Sequence, residues 1–139
     1  MDLLQYDTKK ASEEGADLIL KAPDTRAPLK DAKGNPIVIR CLGKHSDAYL
    51  KTQNRLSNRR IKEARGRGPQ STVEEMEQET IELLASAVVG WTDNLEIGGG
   101  PFPYDPENAR KLLGNEKLRW IREQCDEFIG DISNFLPQS

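Results

Sequence analysis

The segment between residues 88 and 134 constrains the fold more strongly than any other part of the chain. Within it, residues 96–103 include three consecutive glycines and two prolines, and such a run cannot continue a helix. Residues with helical spacing precede and follow this connector, and both tryptophans, Trp91 and Trp120, lie in the same segment. The pattern predicts helices packed around an irregular connector, which is typical of an interaction domain rather than of an enzyme.

The composition predicts a small domain with a modest core. Of the 139 residues, 36% are hydrophobic and 31% are charged, so much of each helix is expected to be exposed. The formal net charge of −3 argues against general binding to nucleic acid or to a membrane surface. No apolar run approaches the roughly 20 residues that cross a bilayer, and the first residues lack the features of a signal peptide. We therefore expect a cytoplasmic protein in which Cys41 and Cys125 are buried, reduced thiols.

The first third of the sequence predicts a small antiparallel sheet. Residues 1–16 are polar with few apolar anchors, and we expect them to be poorly ordered. Gly34 and Asn35 both tolerate positive φ and predict a turn. Three strands are predicted around this turn, at residues 17–21, 27–30 and 37–42.

Two longer helices are predicted after the sheet. The first begins at Ser46 or Asp47 and ends at a flexible linker near residues 65–71, where glycine and proline occur. Ser71 and Glu74 have the spacing of a capping box and predict the start of the second helix. This second helix carries apolar residues at helical spacing, and we expect it to be the central element of the core.

Two further helices complete the predicted fold. The second helix ends or bends at Gly90, Asp105 caps a short third helix, and Asn115 caps a fourth with a clear apolar stripe. The predicted fold class is therefore α+β: a small N-terminal antiparallel β unit followed by a mostly α-helical domain of about four helices. Residues 17–136 are predicted to form this single domain.

No combination of residues predicts catalysis, a cofactor or a metal ion. His45 is the only histidine, which argues against a histidine-based triad or a multi-histidine metal site. The glutamates between residues 74 and 82 fit a solvated helix face. The three glycines at residues 98–100 precede Pro-Phe-Pro, whereas a phosphate-binding loop continues with Gly-Lys-Ser or Gly-Lys-Thr. We expect a protein that is not an enzyme and has no catalytic, cofactor or metal site.

A basic run is the main candidate for partner binding. Only Glu63 lies among its cations, and in an acidic chain such a run suits an acidic partner surface. A solvated helix face and a nucleic-acid site are the alternatives, although the run has no interleaved aromatic residues for base stacking. The candidate partner-binding residues are Arg55, Arg59, Arg60, Lys62, Arg65 and Arg67.

The aromatic residues of the second half have two interpretations. Trp91, Phe102, Tyr104 and Trp120 can stack on a ligand, or they can pack on each other and on the last helix. We favour packing and expect Trp120 to be buried. The predicted buried cluster consists of Trp91, Phe102, Trp120, Ile121 and Phe128.

Several short motifs follow one another in a specific order. A turn of the form D-x-x-G-x-P precedes an apolar strand at residues 31–39, and a Val-Val-Gly-Trp run occupies residues 88–91. Pro-Tyr and the sequence D-P-E-N-A-R-K-L-L follow at residues 103–113, then Trp-Ile-x-x-Q at residues 120–124 and Asn-Phe-Leu at residues 134–136. In this order, over about residues 28–136, the chain resembles the tail assembly chaperones of long-tailed bacteriophages.

The resemblance implies a function without catalytic residues. It implies a small, mostly helical protein in the cytoplasm of the bacterial host, which keeps the tape measure protein soluble until tail-tube subunits polymerise around it. The tail tube protein and a second copy of the chain remain open as additional partners. Two other functions remain open: a structural minor tail or head–tail connector protein retained in the virion, and a small regulator that binds nucleic acid through the basic run.

Overall fold

The computed structural model describes residues 1–67 and 72–137 and confirms the predicted α+β fold class. No helix among the described residues is long and apolar enough to cross a membrane. The helices and strands are, in chain order, α1 (Thr8–Glu14), β1 (Ala16–Ile19), β2 (Val38–Cys41), α2 (Asp47–Arg67), α3 (Val73–Ala87), β3 (Val88–Trp91), β4 (Glu96–Ile97), β5 (Gly100–Pro101), α4 (Pro106–Leu113) and α5 (Arg119–Gly130).

The main sheet is antiparallel with the strand order β1-β2-β3. Its third strand comes from the Val-Val-Gly-Trp run, where the sequence predicted a helix that ends or bends at Gly90. That prediction is wrong because α3 already ends at Ala87, and the two valines that follow favour an extended backbone. β3 pairs with β2 so that Cys41 lies opposite Val88. The sheet is therefore not confined to the N-terminal third of the chain.

One predicted strand is absent from this sheet. Residues 27–30 form only isolated bridges, Lys21 with Pro28 and Lys30 with Pro36. Both bridges include a proline, which has no N–H to donate to a ladder. The segment between β1 and β2 is consequently an extended connection rather than a strand.

The segment before the sheet, where residues 1–16 were expected to be poorly ordered, contains the helix α1 in the structure. Asp7 caps α1, and Ser12 on this helix is fully buried. The Gly43 N–H donates to the Ser12 carbonyl at 3.0 Å, and the His45 N–H donates to the Ser12 hydroxyl at 3.3 Å. Hydrogen bonds to the loop before α2 therefore hold α1, although the segment has few apolar anchors.

Side-chain oxygens cap several helices at or next to the predicted residues. The last helix differs from its prediction, because Asn115 caps a 3-10 turn over Glu116–Leu118 and α5 then begins at Arg119 without a side-chain cap. The Tyr49 N–H donates to the Ser46 hydroxyl at 3.3 Å at the start of α2. At α3 the cap is Thr72, whose hydroxyl accepts the Glu75 N–H at 3.1 Å, one residue beyond the predicted box. Ser71 lies outside the described residues, as does most of the predicted linker, and residues 65–67 continue α2.

The core lies between the sheet and the helices α3, α4 and α5. As predicted, α3 is central: it buries Ile81, Leu84 and Ala87 and packs against α2, α4 and α5. Cys41 and Cys125 are both buried free thiols, as predicted. A hydrogen bond with Cys41, together with burial, raises the pKa of the Cys125 thiol well above its ordinary value.

The residues of the predicted aromatic cluster all contact one hydrophobic core, but the aromatic rings are only partly buried at its edge and make two separate sets of ring contacts. Trp91 stacks on Phe102 with ring centroids 5.9 Å apart, and Phe128 meets Phe135 edge to face at 5.5 Å. Trp120 is half-buried, where full burial was expected. The prediction was wrong because helical spacing identifies which side of α5 is apolar but does not fix how deeply each side chain is covered.

Candidate partner-binding surface

The aromatic residues of the connector attach it to β3. The Trp91 indole N–H donates to the Phe102 carbonyl at 2.7 Å, and the Tyr104 hydroxyl donates to the Val88 carbonyl at 3.0 Å. Burial, followed by the charge of Asp105, raises the pKa of Tyr104, so the hydroxyl stays a hydrogen-bond donor. These side chains are used for packing and for hydrogen bonds within the chain, which supports packing over ligand stacking.

Gln124 ties α5 to the end of β1. Its carbonyl oxygen accepts the Lys21 N–H at 3.0 Å, and its amide donates to the Lys21 carbonyl at 2.8 Å. The side chain thus completes both backbone hydrogen bonds of one residue, as a neighbouring strand would. Gln124 is buried and contacts elements that are far apart in sequence.

Asp31 organises the turn before β2. One of its carboxylate oxygens accepts the N–H groups of Lys33 and Asn35, both at 2.9 Å, and the other accepts the Asn94 amide at 3.1 Å. The backbone hydrogen bond from Asn35 is the main cause of the lowered pKa of Asp31. The turn is thereby held against the loop that follows β3.

The motif residues therefore support the fold rather than forming a reactive site. Among residues 1–67 and 72–137, no group of three histidine, cysteine, aspartate or glutamate residues could hold a metal ion. His45 is half-buried, with Nδ1 2.8 Å from the Thr8 hydroxyl, and this contact joins α1 to the start of α2.

The basic run lies on α2, and three of its arginines pair with α3. Arg55 and Arg59 lie 3.3 and 4.0 Å from the Glu82 carboxylate, and Arg60 pairs with the nearly buried Glu79. The sequence interpretation that only Glu63 opposes this run is therefore wrong, because α3 is antiparallel to α2 and brings its acids across. Lys62 and Arg65 are exposed, and the side chain of Arg67 lies outside the described set. Much of the positive charge is thus balanced within the chain.

Uncharged residues form a stripe on one side of each helix of the α2–α3 hairpin, although the two helices carry many charges. Residues spaced by three or four positions lie on the same side of a helix. On α2 this spacing connects Leu50, Gln53, Ser57, Ile61 and Ala64, and on α3 it connects Val73, Met76, Thr80 and Leu83. We call these nine residues the neutral face of the hairpin.

The two stripes of the neutral face meet along the seam between the helices. Gln53 and Ser57 from α2 line the same shallow groove, of about 170 Å³, as Thr80 and Leu83 from α3, and the paired Arg60 and Glu79 line it as well. A second groove, of about 320 Å³, is lined by Arg59 and mostly acidic side chains. The first groove is therefore electrically balanced, whereas the second is mostly acidic.

The neutral face contains apolar side chains that the chain itself leaves exposed. The exposed fractions are 56% for Ile61, 76% for Val73 and 51% for Met76. Isolated exposed apolar residues are common, but several on one side of a charged hairpin make that side a candidate for binding a partner. Sequence analysis missed this surface because the stripe on each helix is weak alone. The combined face can be recognised only when α2 and α3 are placed side by side in antiparallel orientation.

The N-terminal segment is a second group of exposed apolar residues. Leu3 and Leu4 are 76% and 78% exposed, and Met1 and Tyr6 are exposed as well. They lie in a 3-10 turn over Leu3–Tyr6 that Asp2 caps, directly before α1.

Comparisons with known proteins provide no relative for this arrangement: no family model, curated protein or solved structure matches the chain.

Proposed function

We propose that this protein is a phage tail assembly chaperone that binds the tape measure protein and keeps it soluble during tail assembly. The observation that carries the proposal is the neutral face, an exposed and partly apolar surface on an otherwise charged hairpin. The order of motifs along residues 28–136 adds the resemblance to the chaperone family.

The neutral face has the form that a helical client requires. A tape measure protein of the kind that the resemblance implies is long and helical, with apolar faces that aggregate when they are uncovered. An amphipathic helix can lie along a seam between two helices and bury its apolar stripe there. Because the chaperone has to release its client, a modest contact area suits this role better than a permanent interface.

The exposed cations of α2 have a secondary role in this proposal. Arg65 lies on α2 four residues after Ile61, beside the neutral face, and its charge, with that of Lys62 elsewhere on the helix, steers an acidic segment toward it. Arg55, Arg59 and Arg60 are already paired with α3 and contribute mainly to holding the hairpin together. The apolar contacts supply most of the affinity.

Co-expression with the tape measure protein from the same genome tests the proposal. We expect the two proteins to co-purify and the soluble yield of the tape measure protein to rise when the chaperone is present. Purified virions should lack this protein, because a chaperone leaves before the tail is complete. Failure to co-purify, or a tape measure protein that is equally soluble alone, contradicts the proposal. Stoichiometric presence in purified virions supports a structural minor tail or head–tail connector protein instead.

A further inference from the structure

We infer that the segment which occupies the neutral face is an amphipathic α-helix whose apolar stripe is flanked on both sides by acidic residues. The inference rests on the proposed function and adds the chemistry of the bound segment. It follows from the charges along the two edges of the neutral face.

The outer edge of the neutral face is basic. Arg65 follows Ala64 directly and lies four residues after Ile61, so helical spacing places it beside the α2 stripe on the side away from α3. Its side chain is exposed. A carboxylate on a bound helix would meet this guanidinium at the rim of the contact.

Beside Met76, the inner edge also has a local excess of positive charge. Glu77 follows Met76 on α3 and accepts hydrogen bonds from Arg119 at 3.0 Å and from Arg122 at 2.7 Å. One carboxylate therefore opposes two guanidinium groups from α5, which leaves one positive charge beside the α3 stripe. Arg119 remains available to a partner, since 53% of its side chain is exposed.

The surface between these two edges, along the seam of α2 and α3, is electrically balanced and forms the floor of the contact. Arg60 and Glu79 form an ion pair across the seam, and the nine residues of the neutral face carry no charge. A neutral, partly apolar floor between two basic edges is complementary to an apolar stripe with acidic flanks. A helix with basic flanks would place like charges together at both edges, which weakens binding.

The length of the neutral face sets the length of the bound helix. From Leu50 to Ala64 the α2 stripe covers 14 residue steps, and at 1.5 Å per residue this is about 21 Å. A bound helix of about four turns would cover it. A segment of that size is short enough to recur many times along a long helical client.

Two synthetic peptides and the full chain test this inference directly. Both peptides are about four helical turns long and share one leucine stripe, with glutamates beside the stripe in one and lysines in the other. Fluorescence anisotropy should give at least about tenfold tighter binding of the glutamate peptide at low salt, with the difference shrinking as salt screens the edges. Arg65→Glu should reduce this preference to less than about threefold. Lys33→Glu, the same charge change in an exposed turn away from the hairpin, should leave it intact.

Several results would overturn the inference. Equal binding of the two peptides to the wild-type chain, tighter binding of the lysine peptide, or an Arg65→Glu protein with an unchanged preference would each do so. A wild-type dimer in sedimentation that Met76→Lys dissociates would also do so, because a second copy would then cover the neutral face.

The two proposals fail in distinguishable ways. If the glutamate peptide is preferred but the tape measure protein is not captured, the proposed function fails while the chemistry of the face stands. If the tape measure protein is captured without any charge preference, only the inference fails.

Discussion

At the scale of single residues, the side chains that carry the family resemblance act on the backbone of the same chain. Asp31, Trp91, Tyr104 and Gln124 each bond to backbone groups of a residue in another part of the fold or in the same turn. A buried backbone group without a partner costs about 1–3 kcal/mol, so each of these side chains stabilises a specific local arrangement. The motifs therefore describe a fold more than a reactive site.

Gln124 offers the sharpest test of this view. Gln124→Leu keeps a similar volume but removes both bonds to Lys21, and we predict a loss of about 1–3 kcal/mol in the free energy of unfolding. Gln78→Leu, at an exposed position on α3, should change it by no more than about 0.5 kcal/mol. Urea denaturation of the two proteins measures the difference. Equal stability of both would mean that the Gln124 bonds are dispensable.

Glu77 predicts a loss of stability in acid. The hydrogen bond from Arg122 is the main cause of its lowered pKa, relative to an ordinary value of 4.5. Because the folded state holds the carboxylate in its charged form, this contribution to stability is present above the ordinary pKa. It is lost as the pH falls through the lowered pKa. The urea midpoint should therefore decrease from pH 5 toward pH 3, and it should decrease less in Glu77→Gln. A parallel decrease in both proteins would contradict this assignment.

At the scale of elements, α1 depends on a close approach that only glycine permits. A Cβ at Gly43 would lie 2.8 Å from Ser12 Cβ and within clashing distance of the Ser12 hydroxyl. Gly43→Ala should therefore displace α1 and lower the free energy of unfolding by about 1–3 kcal/mol. Faster hydrogen exchange in α1 measures the displacement. Gly130→Ala is the control, since no atom lies within 4 Å of its added Cβ. Unchanged exchange in Gly43→Ala would show that α1 is held by other contacts.

The helices and strands also show which parts of the fold can be predicted from the sequence. The capping oxygens of Asp105 and Ser46 and the apolar stripe of α5 are local signals, and they predicted helices that the structure contains. The strand at Val88–Trp91 and the ordering of α1 depend on partners distant in sequence, β2 and the Ser12–Gly43 contact. Local patterns carry no information on such partners, so these elements were assigned wrongly.

The candidate partner-binding surface shows the same difference between local sequence signals and contacts between distant residues. The sequence identified the cations of α2 because they are consecutive along one helix. It missed their pairing with Glu79 and Glu82 and the neutral face between the helices, because both require the antiparallel alignment of α2 and α3. Because α3 pairs with the arginines of the basic run, the candidate partner-binding surface is the neutral face instead of the basic run.

At the scale of the whole molecule, the protein combines a buried core with an exposed, partly apolar face on the α2–α3 hairpin. α3 packs against α2, α4 and α5, and it presents Met76 and Val73 to solvent. A rigid hairpin with one neutral side can hold a client helix without itself unfolding. In the proposed function, this side of the hairpin is the surface that would bind the tape measure protein.

The most direct test is the soluble fraction of the tape measure protein, co-expressed with three versions of this chain. Met76→Lys places a charge on the neutral face, while Gln78→Lys places the same charge on the charged side of α3, and both positions are exposed. We predict that the wild-type and Gln78→Lys proteins keep the tape measure protein soluble. Met76→Lys should lower its soluble fraction at least about fivefold while melting like the wild type. Equal soluble fractions with Met76→Lys and Gln78→Lys would contradict the assignment of the neutral face.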